Sequence, residues 1–212
     1  MIAIIDYKMG NLGSVEKAVS YLGYETVITN SPDIVRSADG VILPGVGAFE
    51  AGMQALEESR MIGTIADFIK TGRPFLGICL GMQLLFESSE ETLAETSQQN
   101  SECKGLSIIP GRVRRFPKTD GLKIPQIGWN NLIQVKNQIF TENEYMYFVH
   151  SYYCDAAEKE DIAAYAEYGI IYPAAIIHGN IYAAQFHPEK SGEAGLAILQ
   201  RWCGLTKGEH TW

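Results

Sequence analysis

The first half of the chain alternates short apolar runs with segments whose apolar residues recur every three or four positions. The uninterrupted runs predict buried strands at 2–6, 25–29, 40–43 and 74–78. The periodic segments predict a helix capped by Ser14 and closed by Gly23, a short helix starting around Pro32, a helical region over 51–70 and a helix beginning at 80–86. Strands and helices that alternate at this spacing predict an α/β fold with a doubly wound, mostly parallel sheet.

The second half is richer in strand patterns, which are separated by turns. These patterns predict strands at 106–116, 129–135, 145–153 and 162–168. A hairpin is expected over 174–186, with Gly179-Asn180 as its turn. The polar residues of 87–104 predict a surface loop.

A last amphipathic segment predicts a helix over 191–203, with Ser191 as its cap and Gly204 as its stop. No internal repeat, linker or low-complexity segment divides the sequence. We therefore expect a single domain over residues 1–212, with an antiparallel, β-rich second half.

Composition and charge narrow the classes of function. Hydrophobic residues make up 46% and charged residues 20% of the chain, as in an ordinary globular enzyme. The net charge of −8 disfavours nucleic acid as a partner, because phosphate binding needs a basic face. The four cysteines show neither a CxxC pair nor a zinc spacing, so we expect no metal and no cofactor. No membrane-length apolar run and no signal-peptide pattern occurs, which favours a cytoplasmic protein.

Cys79 stands in the sequence Gly77-Ile78-Cys79-Leu80-Gly81, at the junction of a predicted strand and a predicted helix. Glycine on both sides of the central residue is typical of a nucleophile elbow, in which strand and helix backbones meet too closely for Cβ atoms. Such a turn presents its side chain at the carboxyl edge of the sheet, where open α/β folds bind ligands. The alternative is a cysteine that only packs in the core.

A cysteine nucleophile needs a base and a group that orients the base. His187 follows an apolar strand pattern, and Glu189 stands two residues later. Residues i and i+2 of an extended chain point to the same side, so Glu189 can hold the imidazole of His187. The alternative is a strand-end histidine beside a surface glutamate. His178 and His210 are expected to face solvent.

The segment Pro44-Gly45-Val46-Gly47 directly follows the third predicted strand, so it belongs to the same sheet edge as Cys79. Two glycines let backbone N–H groups approach a substrate oxygen, as an oxyanion hole requires. An ordinary turn is the alternative. A dinucleotide-binding fingerprint fits poorly, because it would need glycine where the chain has Glu50.

Three blocks in this order, PGVGAF, GICLGMQ and QFHPEKS, resemble the class I (triad) glutamine amidotransferases. This resemblance implies their flavodoxin-like α/β fold. It also implies that Cys79 attacks the side-chain amide of glutamine, that His187 transfers protons and that Glu189 orients His187. The backbone N–H groups of Gly47 and Leu80 would form the oxyanion hole, after a reorientation of the PGVG peptide. Further contacts with the substrate glutamine are implied for Gly45, Gln83, His150, Ser151 and Tyr152.

Within that family, IDYKMGNL, PQIGWN, FVHSYY and HPEKS together resemble the glutaminase subunits that serve histidine biosynthesis. The resemblance implies a separate (βα)₈-barrel cyclase as partner, which uses the ammonia to make imidazole glycerol phosphate and aminoimidazole carboxamide ribotide. Residues expected at the interface with this partner are Lys8, Asn11, Gln126, Trp129, Asn130 and Lys190. For Asn11 and Trp129, helix entry and core packing are the alternatives. Two other functions stay open, namely the glutaminase subunit of pyridoxal phosphate synthase and a peptidase-like or redox member of the same fold.

Overall fold

Within residues 1–92, 102–118 and 120–209, which the computed structural model describes, the chain forms thirteen strands and six α-helices. The strands are β1 (Ile2–Ile5), β2 (Thr26–Thr29), β3 (Gly40–Gly45), β4 (Phe75–Cys79), β5 (Phe86–Ser89), β6 (Cys103–Lys104), β7 (Ile109–Arg115), β8 (Gln126–Asn131), β9 (Tyr145–His150), β10 (Tyr152–Ala156), β11 (Ile162–Glu167), β12 (Ile171–His178) and β13 (Ile181–Ala184). The helices are α1 (Leu12–Tyr21), α2 (Pro32–Ser37), α3 (Phe49–Glu58), α4 (Met61–Lys70), α5 (Leu80–Gln83) and α6 (Gly192–Leu205).

The main sheet has seven strands in the order β11-β12-β13-β4-β3-β1-β2. The five strands from β13 to β2 run parallel, whereas β12 and β11 join antiparallel at one edge. The predicted doubly wound, mostly parallel sheet and the predicted hairpin of β12 and β13 are therefore confirmed. Because β3, β4 and β13 are neighbours, the segments that follow their carboxyl ends meet at one edge of the sheet.

Two smaller sheets come mainly from the second half of the chain. One has the order β10-β7-β5-β6, and the other is a two-stranded antiparallel ribbon of β8 and β9. In the ribbon Trp129 lies opposite Tyr147, and Ile127 lies opposite Val149. This ribbon borders the edge of the main sheet that carries Cys79, since Cys79 Sγ lies 4.0 Å from the carbonyl oxygen of Val149.

The core lies on both faces of the main sheet, which explains the uninterrupted apolar runs of its strands. In β1, Ile2 and Ile4 pack on the side of α1 and α6, whereas Ala3 and Ile5 pack on the side of α3 and α4. A third apolar cluster surrounds Phe148, Tyr172 and Phe186 in the β-rich half. None of the helices in the described ranges is long and apolar enough to span a membrane.

The helical region predicted over 51–70 is confirmed, and it consists of two helices, α3 and α4. Arg60 separates them with a left-handed backbone (φ 58°). The helix predicted at 80–86 is wrong beyond its first turn, since the chain turns at residues 84–85 and enters β5. The strand β5 and the short β6 contradict the loop predicted over 87–104, of which residues 93–101 lie outside the described part.

Two predicted caps are also corrected. Helix α1 begins one turn earlier than expected, with Asn11 as the cap whose side-chain oxygen accepts the N–H of Ser14. Ser191 precedes α6 but makes no side-chain cap, because its hydroxyl donates to the carbonyl of His187. Helix α6 runs through Gly204 and ends at Leu205. The strand predicted over 145–153 is divided at Ser151, and the strand predicted over 129–135 is β8, which starts earlier.

Candidate active site

Cys79 has the backbone of a nucleophile elbow. It ends β4 and precedes the one-turn helix α5 with φ 53° and ψ −110°, a conformation that costs energy for a residue with a Cβ. A Cβ on Gly77 would lie 2.9 Å from the carbonyl oxygen of Gly81, and a Cβ on Gly81 would overlap the carbonyl of Leu43. Both flanking glycines are therefore required by close backbone packing, as the sequence predicted.

His187 and Glu189 form the predicted contact. His187 Nδ1 lies 2.8 Å from Glu189 Oε1, and both side chains are only 2% exposed. Ser191 fixes the backbone of this pair. Its hydroxyl donates to the His187 carbonyl (2.6 Å) and accepts the backbone N–H of Tyr147 (3.0 Å). Because Nδ1 donates to a carboxylate, the tautomer is fixed and Nε2 is left for chemistry.

The electrostatics of His187 favour its protonated form. Burial lowers the pKa of His187, but the neighbouring Cys79 sulfur and the Glu189 carboxylate outweigh burial and bring the pKa to about 9. Nε2 has no hydrogen-bond partner among the described residues. A proton on this imidazole is therefore stable at neutral pH.

Cys79 and His187 share a cavity of about 300 Å³, a size found for sites that bind small molecules. The predicted site residues that line it are Cys79, His187, Gly47, Leu80, Gln83, His150, Ser151 and Tyr152. Gly45 is not among its lining residues; it lies buried at the end of β3, against Tyr7 and Leu80. Glu189 stands behind His187 and does not line this cavity.

Gln83 joins the elbow to the second half of the chain. Its Nε2 donates to the carbonyl of Tyr152 (3.1 Å) and to Oε1 of Gln185 (3.0 Å). Gln185 in turn directs its own Nε2 at Cys79 Sγ (3.8 Å), a contact that the sequence reasoning missed. The i, i+2 rule that paired His187 with Glu189 would also have placed Gln185 on the side of His187.

His150 is a second buried histidine in the cavity wall. Its Nδ1 lies 2.8 Å from the carbonyl oxygen of Tyr152, and its Nε2 has no partner among the described residues. The rings of Phe116, Phe148 and Tyr172 surround it at centroid distances of 5.2–5.7 Å. Burial therefore lowers the pKa of His150 to about 4, against the bond to Tyr152, and nearby His187 lowers it further.

Glu91 is a cavity residue that the sequence reasoning did not find, because it falls in the polar stretch interpreted as a surface loop. Its Oε2 accepts the backbone N–H of Phe49 (2.8 Å), and burial raises its pKa, although this hydrogen bond and Arg115 oppose the rise. The structure thus adds a carboxylate to the wall of the cavity that also holds Gln83 and Tyr152.

The residues expected at a partner interface differ in their exposure. Trp129 is 57% exposed on the β8–β9 ribbon, beside Ile127 at 64%, and Lys8 and Lys190 are also exposed. Lys8 has φ 66°, a left-handed backbone conformation that favours glycine. Asn11 caps α1 at the surface, and the half-buried Asn130 donates to the carbonyl of Glu167.

The assignment of Gln126 to the interface is corrected, because its side chain is buried. Its Oε1 accepts the hydroxyl of Tyr172 (2.9 Å), which ties β8 to the core. Of the other histidines, His178 is partly exposed and pairs with Asp161, whereas His210 lies outside the described residues. The four cysteines are free thiols.

Comparison with known proteins identifies the family of the chain. The family model described as glutamine amidotransferase class-I matches residues 3–203. The chain belongs to the class I glutamine amidotransferases. The family membership that the sequence motifs indicated is thereby confirmed, and so is the α/β fold that it implies.

Two relatives within the family match this chain over nearly the full length of both proteins. The chain is 48% identical to the imidazole glycerol phosphate synthase subunit HisH of Desulfitobacterium hafniense, over 95% of this chain and 93% of the relative. It is 47% identical to the protein of the same description from Caldanaerobacter subterraneus, over 98% and 99% of the two chains. The prediction of a glutaminase subunit of imidazole glycerol phosphate synthase is confirmed by this likeness.

Solved structures support the fold of this amidotransferase. A crystal structure of a glutamine amidotransferase superposes with a TM-score of 0.73 at 17% identity and covers 98% of this chain and 99% of that chain. The structure of PurLQS from Thermotoga maritima gives a TM-score of 0.70 at 17% identity, over 96% and 97% of the two chains. At such identity the superpositions concern the fold alone.

Proposed function

We propose that this amidotransferase hydrolyses L-glutamine through a thioester on Cys79. The sulfur attacks the side-chain amide carbon while His187 takes the thiol proton, and the same proton then leaves with the amide nitrogen as ammonia. His187 next removes a proton from water, which attacks the thioester, and returns that proton to Cys79 as glutamate departs. The observation that supports this proposal most directly is the 2.8 Å contact between His187 Nδ1 and Glu189 Oε1, because His187 and Cys79 line the same cavity.

The pKa of about 9 suits His187 to the leaving-group step. Once the imidazole has taken the thiol proton, it retains this proton at neutral pH until the departing nitrogen accepts it. Glu189 supports this state, because a carboxylate that accepts Nδ1–H stabilises the imidazolium. The backbone N–H groups of Gly47 and Leu80, at the wall of the same cavity, are proposed as the oxyanion hole.

Recognition of the α-groups of glutamine is proposed for the opposite wall. Gln83 uses both hydrogens of Nε2 within the protein, so its amide oxygen is the atom left to accept from an ammonium group. Glu91 adds a carboxylate there, and its Oε1 accepts no hydrogen bond from the described residues. Ser151 and Tyr152, with His150, line the cavity where the α-carboxylate would lie. This arrangement selects an amino acid over a neutral amide.

The partner is proposed to be a separate (βα)₈-barrel cyclase that receives the ammonia. Ile127 and Trp129 form an exposed apolar face on β8, and Val149, which pairs with Ile127 on the opposite strand β9, lines the cavity. A partner that covers this face would also cover the way out of the cavity, and so prevent loss of ammonia to water. We propose further that residues 1–212 form one domain and that it acts in the cytoplasm, where a catalytic thiol stays reduced.

Replacement of the nucleophile tests this function. With Cys79→Ala and the cyclase co-expressed, glutamine-dependent synthesis of imidazole glycerol phosphate should fall to background, because no thioester can form. Synthesis from added ammonium salt should remain at the wild-type rate, since the cyclase chemistry belongs to the other chain. Cys203→Ala, at a buried cysteine in α6, is the matched control and should keep both activities. Loss of both activities in Cys79→Ala, or retention of both, would contradict the proposal.

A further inference from the structure

Tyr7 has a side chain that the mechanism above does not use. It follows β1 and is only 1% exposed, and its hydroxyl has no hydrogen-bond partner among the described residues. A buried hydroxyl without a partner is destabilising, because it has lost its hydrogen bonds to water, and phenylalanine would fill the same space without that loss. We therefore expect the hydroxyl to form a hydrogen bond in another conformation of the protein.

The hydroxyl lies directly against Gly45. A Cβ on Gly45 would overlap the Tyr7 hydroxyl oxygen, so this oxygen occupies the space next to the Gly45 backbone. Gly45 is the last residue of β3 and pairs with Cys79, and two residues later Gly47 lines the catalytic cavity. Tyr7 itself does not line that cavity; it borders a separate one with Asp6 and Asn30.

Backbone geometry links this hydroxyl to the oxyanion hole. The N–H and C=O of a trans peptide point in opposite directions, so turning an N–H into the cavity turns the carbonyl of the same peptide away from it. Gly47 has φ 108° and, as a glycine, permits such a rotation. Burial raises the pKa of Tyr7, so its hydroxyl stays a proton donor at any working pH.

We propose that Tyr7 is a positioning residue for the oxyanion hole. Its hydroxyl donates a hydrogen bond to a backbone carbonyl of the Pro44–Gly47 segment when that segment directs an N–H at the oxyanion. The inference rests on the proposed role of Gly47. It explains why a hydroxyl stays unpaired in a tightly packed place, and why glycine stands at position 45.

The test is Tyr7→Phe, measured in the complex with the cyclase. The glutaminase kcat should fall about tenfold, below the loss seen when a donor of an oxyanion hole is itself removed, with KM within twofold of wild type. The melting temperature should be unchanged or higher, because the hydroxyl makes no hydrogen bond with the described residues. Tyr182→Phe is the matched control, since this half-buried tyrosine of β13 points to the face opposite Gln185 and His187.

Two outcomes would overturn the proposal. One is an unchanged kcat in Tyr7→Phe, and the other is a kcat loss accompanied by an equal loss in Tyr182→Phe or by a lowered melting temperature, which would indicate a merely structural role. Either result would leave the thioester mechanism standing if Cys79→Ala still lost only the glutamine-dependent activity. The failure of this inference is therefore distinguishable from a failure of the proposed function.

Discussion

The cavity has two corners built around a buried histidine, and they differ in what the histidine can do. His187 follows β13 and His150 ends β9. Each ring places Nδ1 2.8 Å from an oxygen, and Nε2 of each has no hydrogen-bond partner among the described residues. The pKa of His187 is nevertheless about 9, whereas that of His150 is about 4. Burial is common to both and lowers both pKa values, so burial alone cannot decide the role.

The decisive difference is the charge of the neighbours. Nδ1 of His187 meets the Glu189 carboxylate, and the Cys79 sulfur lies near the same ring, so a positive charge is stabilised. Nδ1 of His150 contacts the neutral carbonyl of Tyr152, and aromatic rings surround the imidazole. A positive charge on His150 would also be repelled by His187. One corner can therefore hold a proton at neutral pH for transfer to a leaving group, and the other holds a neutral ring that supports the cavity wall.

The largest expected effect comes from changing the two histidines to asparagine. Asparagine keeps a donor near the position of Nδ1 but removes Nε2 in both corners. His187→Asn should lower the glutaminase kcat by about 10³-fold, since general acid–base catalysis contributes roughly 10²–10⁴. His150→Asn should lower it by less than about tenfold, because the ring is not expected to transfer a proton. Steady-state glutamate release with the cyclase present measures both.

Losses of similar size in the two variants would abolish the contrast between the corners. Glu189→Gln sharpens the experiment, because it keeps an oxygen near Nδ1 but removes the charge. Its kcat should lie between those of the two asparagine variants. Ammonium-dependent synthesis by the cyclase, which needs neither corner, serves as the control for an intact complex.

Local rules predicted the His187 corner well. Glycine on both sides of Cys79, and the two-residue spacing of His187 and Glu189, express geometry that is set by neighbouring residues in the chain. The same holds for the buried strands, whose apolar runs follow from burial on both faces of the sheet. The corner of His150 was reached only through family resemblance, because its environment comes from Phe116, Phe148 and Tyr172, which are distant in sequence.

The features that the sequence did not indicate have the same origin. The break between α3 and α4 depends on the left-handed backbone of Arg60, a residue type that gives no turn signal. Gln126 looked like a polar surface residue, yet the hydroxyl of Tyr172 satisfies it in the core. Glu91 reaches the cavity because β5 joins the second sheet, a pairing that no local pattern indicates. Tertiary contacts, not propensities, decided these places.

The smallest effect predicted from the two corners is on stability, and it has opposite signs in acid and in alkali. The pKa of His187 in the folded protein, about 9, exceeds the value of about 6.5 in an unfolded chain. Its stabilising contribution is therefore complete below about pH 6.5 and is lost as the pH rises towards 9. The pKa of His150, about 4, makes its contribution complete above about pH 6.5 and lost as the pH falls towards 4.

These differences between the folded and unfolded pKa values make the free energy of unfolding depend on pH. Urea unfolding at a series of pH values should show that His187→Asn flattens the alkaline side of the stability profile and leaves the acid side unchanged. His150→Asn should flatten the acid side alone. Equal m-values in the three proteins would exclude a change in the unfolded state as the cause. If both variants flattened the same side, the neighbouring charge would not be what distinguishes the two histidines, and the proton-transfer role of His187 would lose its electrostatic basis.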